Sequence, residues 1–232
     1  MLNLHYIVHT NYEGLGTIQS WALNNGIELS RSNMKKNEPL PKLELIDALV
    51  IMGGPMSVND EKIHPWLISE KKYIEKAIDN GKKVIGICLG AQLIANVLGK
   101  EVKKMDYEEI GWFKIHKTFD GEKSKYFDDF EKEETVFHWH GEYFELPDSA
   151  VLIAGSDVCQ NQIFTYSNLV AGFQCHLEMN EAAIIKMLEN SKLDENNGKF
   201  SMTETEIRNG FNHINRNNFL LNSFLNKFLN IK

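Results

Sequence analysis

Apolar and polar positions along the chain switch repeatedly between a strand-like and a helix-like period. Leu2 to Val8 alternates as a strand does, Gly14 and Gly16 follow, and the stretch Thr17–Asn25 reads as a helix, with Ile27–Leu29 as a second strand. Pro39 and Pro41 mark a loop before Ala48, Leu49, Val50, Ile51 and Met52. This unbroken apolar run, closed by Gly53-Gly54-Pro55, is the pattern of a strand buried on both faces. Residues 65–80 carry an apolar face from Trp66, Leu67, Ile74, Ala77 and Ile78. Pro65 starts that helix and Gly81 stops it. Val84–Ile87 is the next buried strand, and Ala91–Leu98 the next helix, ended by Gly99.

Strand and helix alternating at this pitch predict an α/β domain on a mainly parallel sheet. From 101 to 174 the pattern turns strand-rich, with segments at 101–105, 112–117, 135–139, 150–154 and 169–174, some of them expected as antiparallel additions. Asn180 predicts an N-cap for a helix over 181–190, and Thr203 with Glu206 has capping-box spacing for a last helical region. No repeat or long linker divides the chain. It reads as one domain over 1–232, with a core of about 1–190 and a helical C-terminal extension over 191–232.

Composition narrows the classes. With 232 residues the chain is long enough for a sizeable core, and its formal net charge is -7 with only short basic runs. Phosphate backbones and anionic membranes attract clustered Lys and Arg, so neither nucleic acid nor membrane is expected as a partner. Three cysteines, Cys88, Cys159 and Cys175, form no CxxC pair, and no secretory n-region opens the chain. Both features point to the reducing cytoplasm.

Chemistry concentrates at Gly86-Ile87-Cys88-Leu89-Gly90-Ala91-Gln92, where a buried strand meets a helix. A cysteine in such a sharp turn faces the helix amino terminus, whose unpaired N–H groups and positive dipole end favour thiolate. The N–H of Leu89 is placed to stabilise an oxyanion. The competing reading is a packed structural thiol. Gly53-Gly54-Pro55 closes a separate strand with a backbone free to approach a substrate, and Gly54 offers a second oxyanion N–H. Downstream, Phe173-Gln174-Cys175-His176-Leu177-Glu178 sets His176 and Glu178 on one side of an extended segment. A histidine that takes the thiol proton, beside a carboxylate that orients it, completes a Cys–His–Glu triad.

With elbow, Gly-Gly-Pro turn and His-x-Glu in this chain order, the sequence resembles the class I (triad) glutamine amidotransferases, in particular stand-alone members similar to the glutaminase domain of GMP synthase. The resemblance implies an open three-layer α/β/α sandwich of flavodoxin-like type. It also implies attack on the side-chain amide of glutamine, or of a related γ-glutamyl compound, through a cysteine thioester that releases ammonia and glutamate. Carried over position by position, Cys88 resembles the nucleophile, His176 the general base and acid, Glu178 its orienter, and Gly54 and Leu89 the oxyanion-hole donors. Gly53 and Gln92 correspond to pocket positions. Phe137-His138-Trp139-His140-Gly141-Glu142 is similar to the loop over the glutamine, so His138, Trp139 and His140 are assigned to substrate binding; Glu142 stands where the GMP synthase pattern has Asp.

Other readings stay beside this one. His138 and His140 could ligate a metal with His116 or His176, yet the chain lacks an independent set to finish a shell, so neither metal nor organic cofactor is expected. Cys175 and Cys159 read as packed thiols. The chain has no room for a synthase, so the ammonia would pass to an acceptor on a separate protein, or the reaction is simple hydrolysis, as of a γ-glutamyl peptide. A catalytically silent, partner-binding subunit and an elbow-cysteine redox sensor are the alternatives of other classes. The apolar stripe Phe211–Phe228 reads as a helix docking on its own domain; it is also where a homodimer or partner contact is to be sought.

Overall fold

The computed structural model describes residues 1–11, 13–191 and 198–231; residues 192–197, near the start of the expected extension, lie outside the described residues, as do 12 and 232. In chain order the elements are β1 (Asn3–Val8), α1 (Thr17–Asn24), β2 (Glu28–Asn33), β3 (Ala48–Ile51), α2 (Trp66–Asp79), β4 (Lys83–Ile87) and α3 (Leu89–Val97). There follow β5 (Val102–Lys117), α4 (Phe119–Lys123), β6 (Glu133–Phe144), β7 (Val151–Ser156), β8 (Ile163–Tyr166) and β9 (Val170–Phe173). The helices α5 (Glu181–Asn190), α6 (Glu204–Asn209) and α7 (Ile214–Phe228) end the described chain.

Among the described residues nine strands form one sheet in the order β2-β1-β3-β4-β9-β8-β7-β5-β6. Pairings from β2 to β9 are parallel, and those from β9 outward to β6 are antiparallel. The sheet is thus a parallel half, as the βαβ pattern predicts, joined to an antiparallel half of similar width.

Alternation builds the layers. In β3, Ala48 and Val50 face a core shared with α1 and α7, through Ile18, Trp21, Leu220 and Phe224. Leu49 and Ile51 face the opposite core, with Leu67, Ile74, Leu93 and Ile94 of α2 and α3. Consecutive apolar residues each find a helical layer, which is why this strand contains no polar residue. The result is an open α/β/α sandwich of flavodoxin-like type. A third cluster, around Trp112, Phe137, Met187 and Ile207, packs α5 and α6 on the antiparallel half.

Four details differ from the pattern reading. Residues 101–105 and 112–117 are not separate strands but parts of β5, whose register against β6 shifts between Lys104 and Glu109. A bulge there carries the polar run through without breaking the strand. The segment 135–139 extends to all of β6. The four-residue β8 and the short α4 went unpredicted; Gly121 lies within α4, where a Cβ would stand 2.2 Å from the Ile153 carbonyl oxygen.

The C-terminal stripe docks on its own sheet. Leu220, Leu221, Phe224, Leu225 and Phe228 are buried, and Trp21 Nε1 donates to Asn226 Oδ1 at 2.8 Å. Asn180 caps α5 by accepting from the Ala183 N–H, and Thr203 and Glu206 form the expected capping box. Among the described residues no helix is long and apolar enough to cross a membrane.

Candidate active site

The carboxyl ends of β1, β3, β4 and β9 converge on Cys88. Its backbone sits at φ 52° and ψ -109°, a conformation L side chains rarely adopt, between the end of β4 and the first turn of α3. The Cys88 N–H donates to the Phe173 carbonyl at 2.7 Å, which ties the turn to β9. Gly86 and Gly90 are required by clearance: a Cβ on Gly90 would meet the Ile51 carbonyl oxygen at 2.1 Å. The sulfur is almost buried, with the Trp139 carbonyl oxygen and Gln174 Nε2 each at 3.8 Å.

His176 follows β9 and makes a backbone bridge to Phe137 of β6. Its Nδ1 lies 2.7 Å from Glu178 Oε1, and both side chains are nearly inaccessible. The carboxylate is an acceptor, so Nδ1 carries the hydrogen and donates. Nε2 has no hydrogen-bond partner among the described residues and is left to act. Burial opposes charge on the ring, but the Glu178 carboxylate and the neighbouring Cys88 sulfur outweigh it and hold the pKa well above the ordinary histidine value.

Gly53 fills the space between these groups. A Cβ there would stand 3.6 Å from Cys88 Cβ, 3.6 Å from His176 Cε1 and 3.4 Å from a carboxylate oxygen of Glu13. At Gly54 a Cβ would meet Met56 Sδ, His9 Cβ and Leu89 Cδ2 within 2.9 Å. The Gly54 N–H donates to no acceptor among the described residues, and Leu89 is the first residue of α3, where backbone N–H groups lack intrahelical partners.

A cavity of about 570 Å³ opens on the other side of Cys88, walled by Gly54, Pro55, Gln92, Trp139, His140 and Glu142, with Lys104 and Glu108 of the bulge. A smaller one, about 70 Å³, lies on the His176 side and is lined by Glu13, Gly53, Cys88 and Met187. Gln92 donates to the Glu142 carbonyl oxygen at 3.2 Å and to Gln174 Oε1 at 3.1 Å, joining α3 to the cavity wall. A larger surface depression of about 810 Å³ lies elsewhere, between Lys114, Lys117 and Glu131–Thr135, and holds none of these groups.

The structure therefore brings together Cys88, His176, Glu178, Gly53, Gly54, Leu89, Gln92, Trp139 and His140. It does not bring His138 to the cavity. That side chain is fully buried, 3.8 Å from Glu109 Oε2 and against the Phe113 ring; it shares a strand face with His140 but lies one step before the stretch Trp139–Glu142 that lines the cavity. His138 stays neutral, its pKa pushed down to about 3 chiefly by burial.

Glu109, His138 and His140 place potential ligand atoms within 4.8 Å of one another. His116, weighed as a ligand from sequence, is instead partly exposed and pairs with Glu133 and Asp157. The carboxylate at the centre of the trio is already occupied: Oε1 accepts from Ser156 Oγ and Oε2 from Gln162 Nε2, each at 2.7 Å, with His140 Nε2 3.2 Å away. These contacts suit a hydrogen-bonded brace behind the cavity better than a metal shell. Cys159 and Cys175 are buried free thiols, pushed up by burial to about 12 and well above the ordinary value respectively.

Sequence reasoning did not find His9, Glu13 or Glu70. Burial pushes the Glu13 carboxyl up beside His176. A usable signal existed for the first two: in an open α/β sheet, residues just beyond the carboxyl ends of strands collect at the ligand crevice, and both follow β1.

The chain matches the family model for class I glutamine amidotransferases ("Glutamine amidotransferase class-I") over residues 18–195. It is 34% identical to the glutamine amidotransferase-like protein YfeJ of Salmonella typhimurium, over 89% of this chain and 90% of that one. Gamma-glutamyl peptidase 3 of Arabidopsis thaliana is 30% identical over 66% of this chain and 64% of its own length. Among solved structures, a glutamine amidotransferase from Thermotoga maritima superposes with a TM-score of 0.87 at 28% identity, covering 98% of both chains.

Proposed function

Because this chain belongs to the class I glutamine amidotransferase family, we propose that it hydrolyses the γ-amide of glutamine, or of a related γ-glutamyl compound, through a thioester on Cys88. The observation that carries the reading is the His176–Glu178 pair, with its free Nε2 turned from the carboxylate, beside a cysteine held at the amino end of α3.

In the first half-reaction the Cys88 sulfur bonds to the amide carbon and its proton passes to His176 Nε2. The carbonyl oxygen takes up the electron pair and is held by the N–H groups of Gly54 and Leu89. Collapse of this intermediate breaks the C–N bond. His176 returns the proton to the departing nitrogen, which leaves as ammonia or, from a substituted amide, as an amine. A water molecule then gives a proton to His176 and attacks the thioester; the thiol leaves with that proton, freeing glutamate. Glu178 keeps the imidazole in the required tautomer and stabilises its cation.

The 570 Å³ cavity would hold the γ-glutamyl part, with Gln92, Trp139 and His140 in its wall. Two classes of reaction share this chemistry. Ammonia can pass to an acceptor on a separate protein, or the γ-glutamyl bond is simply cleaved, the reading that the γ-glutamyl peptidase relative supports. No metal or organic cofactor takes part in these steps, and we place the reaction in the cytoplasm.

The test is glutamate and ammonia release from glutamine and from γ-glutamyl dipeptides, run beside Cys88→Ala. Turnover that vanishes in the variant is expected; turnover that survives in it excludes the thioester route. A folded wild-type chain silent toward every compound would favour the partner-dependent, non-catalytic reading.

A further inference from the structure

We propose that His9 and Glu70 form a buried latch that sets the orientation of the Gly53–Gly54 peptide, and so decides whether the Gly54 N–H can serve an oxyanion. The inference rests on the amidase reading above for the identity of that donor.

The need for a latch follows from the glycines. Position 54 admits no Cβ, since His9, Leu89 and Met56 crowd it, and position 53 is pressed between Cys88 and His176. Two adjacent glycines give the intervening peptide more rotational freedom than any other pair. A rotated peptide would present a carbonyl oxygen where a hydrogen-bond donor is wanted. Something outside the pair has to hold it.

His9 does so from the end of β1. Its Nδ1 lies 2.8 Å from the Gly53 carbonyl oxygen, and its Nε2 lies 2.9 Å from Glu70 Oε1 of α2. Both neighbours are acceptors, so both ring nitrogens donate, and the pair is an imidazolium on a carboxylate. In a planar trans peptide the C=O and the following N–H point in opposite directions. With the Gly53 carbonyl fixed on His9, the Gly54 N–H is turned away from it.

The side chains of His9 and Glu70 are wholly inaccessible, and the Trp66 ring stacks on His9 at 5.6 Å between centroids. Burial alone would discharge the imidazole; the Glu70 carboxylate and the Gly53 carbonyl prevail, and the pKa of His9 rises. A buried ion pair adds little net stability over packed apolar groups, so a directional role explains it better than a cohesive one.

His9 is then a positioning residue, and a merely cohesive pair would behave differently. Three variants separate the two: His9→Ala, Glu70→Gln, and His9→Asn, whose side-chain amide nitrogen can stand where Nδ1 does. For folded His9→Ala, kcat for glutamine hydrolysis is expected to fall by about 10²-fold, near the loss of one oxyanion donor. KM and the rate of Cys88 alkylation by iodoacetamide should stay within about threefold. His9→Asn should recover most of the loss, and Glu70→Gln should fall between. If His9→Ala does not fold, the Asn and Gln variants carry the comparison. A crystal structure of the His9 variant supplies a readout independent of turnover: the Gly53 carbonyl should leave its present direction. A carbonyl that stays in place, or a kcat within threefold of wild type, overturns the latch. If instead Cys88→Ala keeps its activity, the amidase reading fails, while the structural comparison still judges the latch.

Discussion

Gly86 and Gly90 face each other across the turn that carries Cys88, so closely that a Cβ on Gly86 would lie 2.4 Å from the carbonyl carbon of Gly90. The elbow is held by backbone packed on backbone. A methyl group at Gly90 would press on the Ile51 carbonyl, which cannot retreat without disturbing β3. Gly90→Ala should therefore destabilise the fold by about 1–3 kcal/mol, as overpacking does, and lower turnover. Denaturant unfolding and glutaminase assays check both.

Cys88 itself holds an unfavourable φ of 52°. A glycine there would relieve it. Cys88→Gly should be inactive yet unfold at a higher denaturant concentration than Cys88→Ala, by about 1 kcal/mol or more. Equal midpoints would mean that the turn stores no strain.

Removing the charge from Glu178 leaves a neighbour that can still accept from Nδ1 but no longer stabilises the cation. Glu178→Gln should lower kcat by about 10²- to 10⁴-fold. The same carboxylate raises the folded-state pKa of His176. A raised histidine pKa contributes stability that is fully present below the unfolded value of about 6.5 and is lost as pH rises through the folded value. The stability gap between wild type and variant should thus be widest near pH 6 and narrow in alkali, which unfolding curves across pH would follow.

His138 titrates in the opposite sense. Its pKa of about 3 lies below the unfolded value, so the stability due to its neutral form is complete above about pH 6.5 and drains away as pH falls from there toward 3. Each pH unit within that window costs about 1.4 kcal/mol for one such proton. Neither ring nitrogen has a hydrogen-bond partner among the described residues, so an apolar ring should fit. His138→Phe is expected to flatten the acid limb of the stability profile by about one proton, with no comparable change above pH 7.

The candidate site was legible wherever its geometry is local. An elbow and a His-x-Glu step show in a few consecutive residues, because turn clearance and strand alternation are local constraints. Groups that depend on distant pairing were not. His9 and Glu70 are 61 positions apart, and nothing near either announces the other. Glu109 sits inside a polar run that reads as a loop until the bulge is seen, so its contacts with His138 and His140 stayed hidden. His138 was assigned to the substrate because its segment resembles the family's loop over the glutamine; in β6 it is buried against Glu109 and Phe113, outside the cavity lining.

The C-terminal helix offers a last test. Phe224 of α7 is fully buried, stacks with Phe127 and Phe228 and meets Phe173 of β9 edge to face. Phe224→Ala should cost about 3–5 kcal/mol and lower activity only through the loss of folded protein. Thermal unfolding together with kcat per folded molecule would show it; a stable variant with altered kcat would argue against a purely structural helix.

The order of the strands has one further consequence. Cys88 and His176, the proposed nucleophile and base, follow β4 and β9, which are neighbours in the sheet, yet the whole antiparallel half is strung between them in the chain. That excursion supplies the far wall of the cavity, from Lys104 to Glu142, and returns to the strand it left. The turn that holds the sulfur and the wall of the cavity beside it are thereby carried on separable lengths of polypeptide. On the proposed amidase reading, insertions and substitutions between α3 and β9 would reshape the choice of substrate while Cys88 and His176 keep their register.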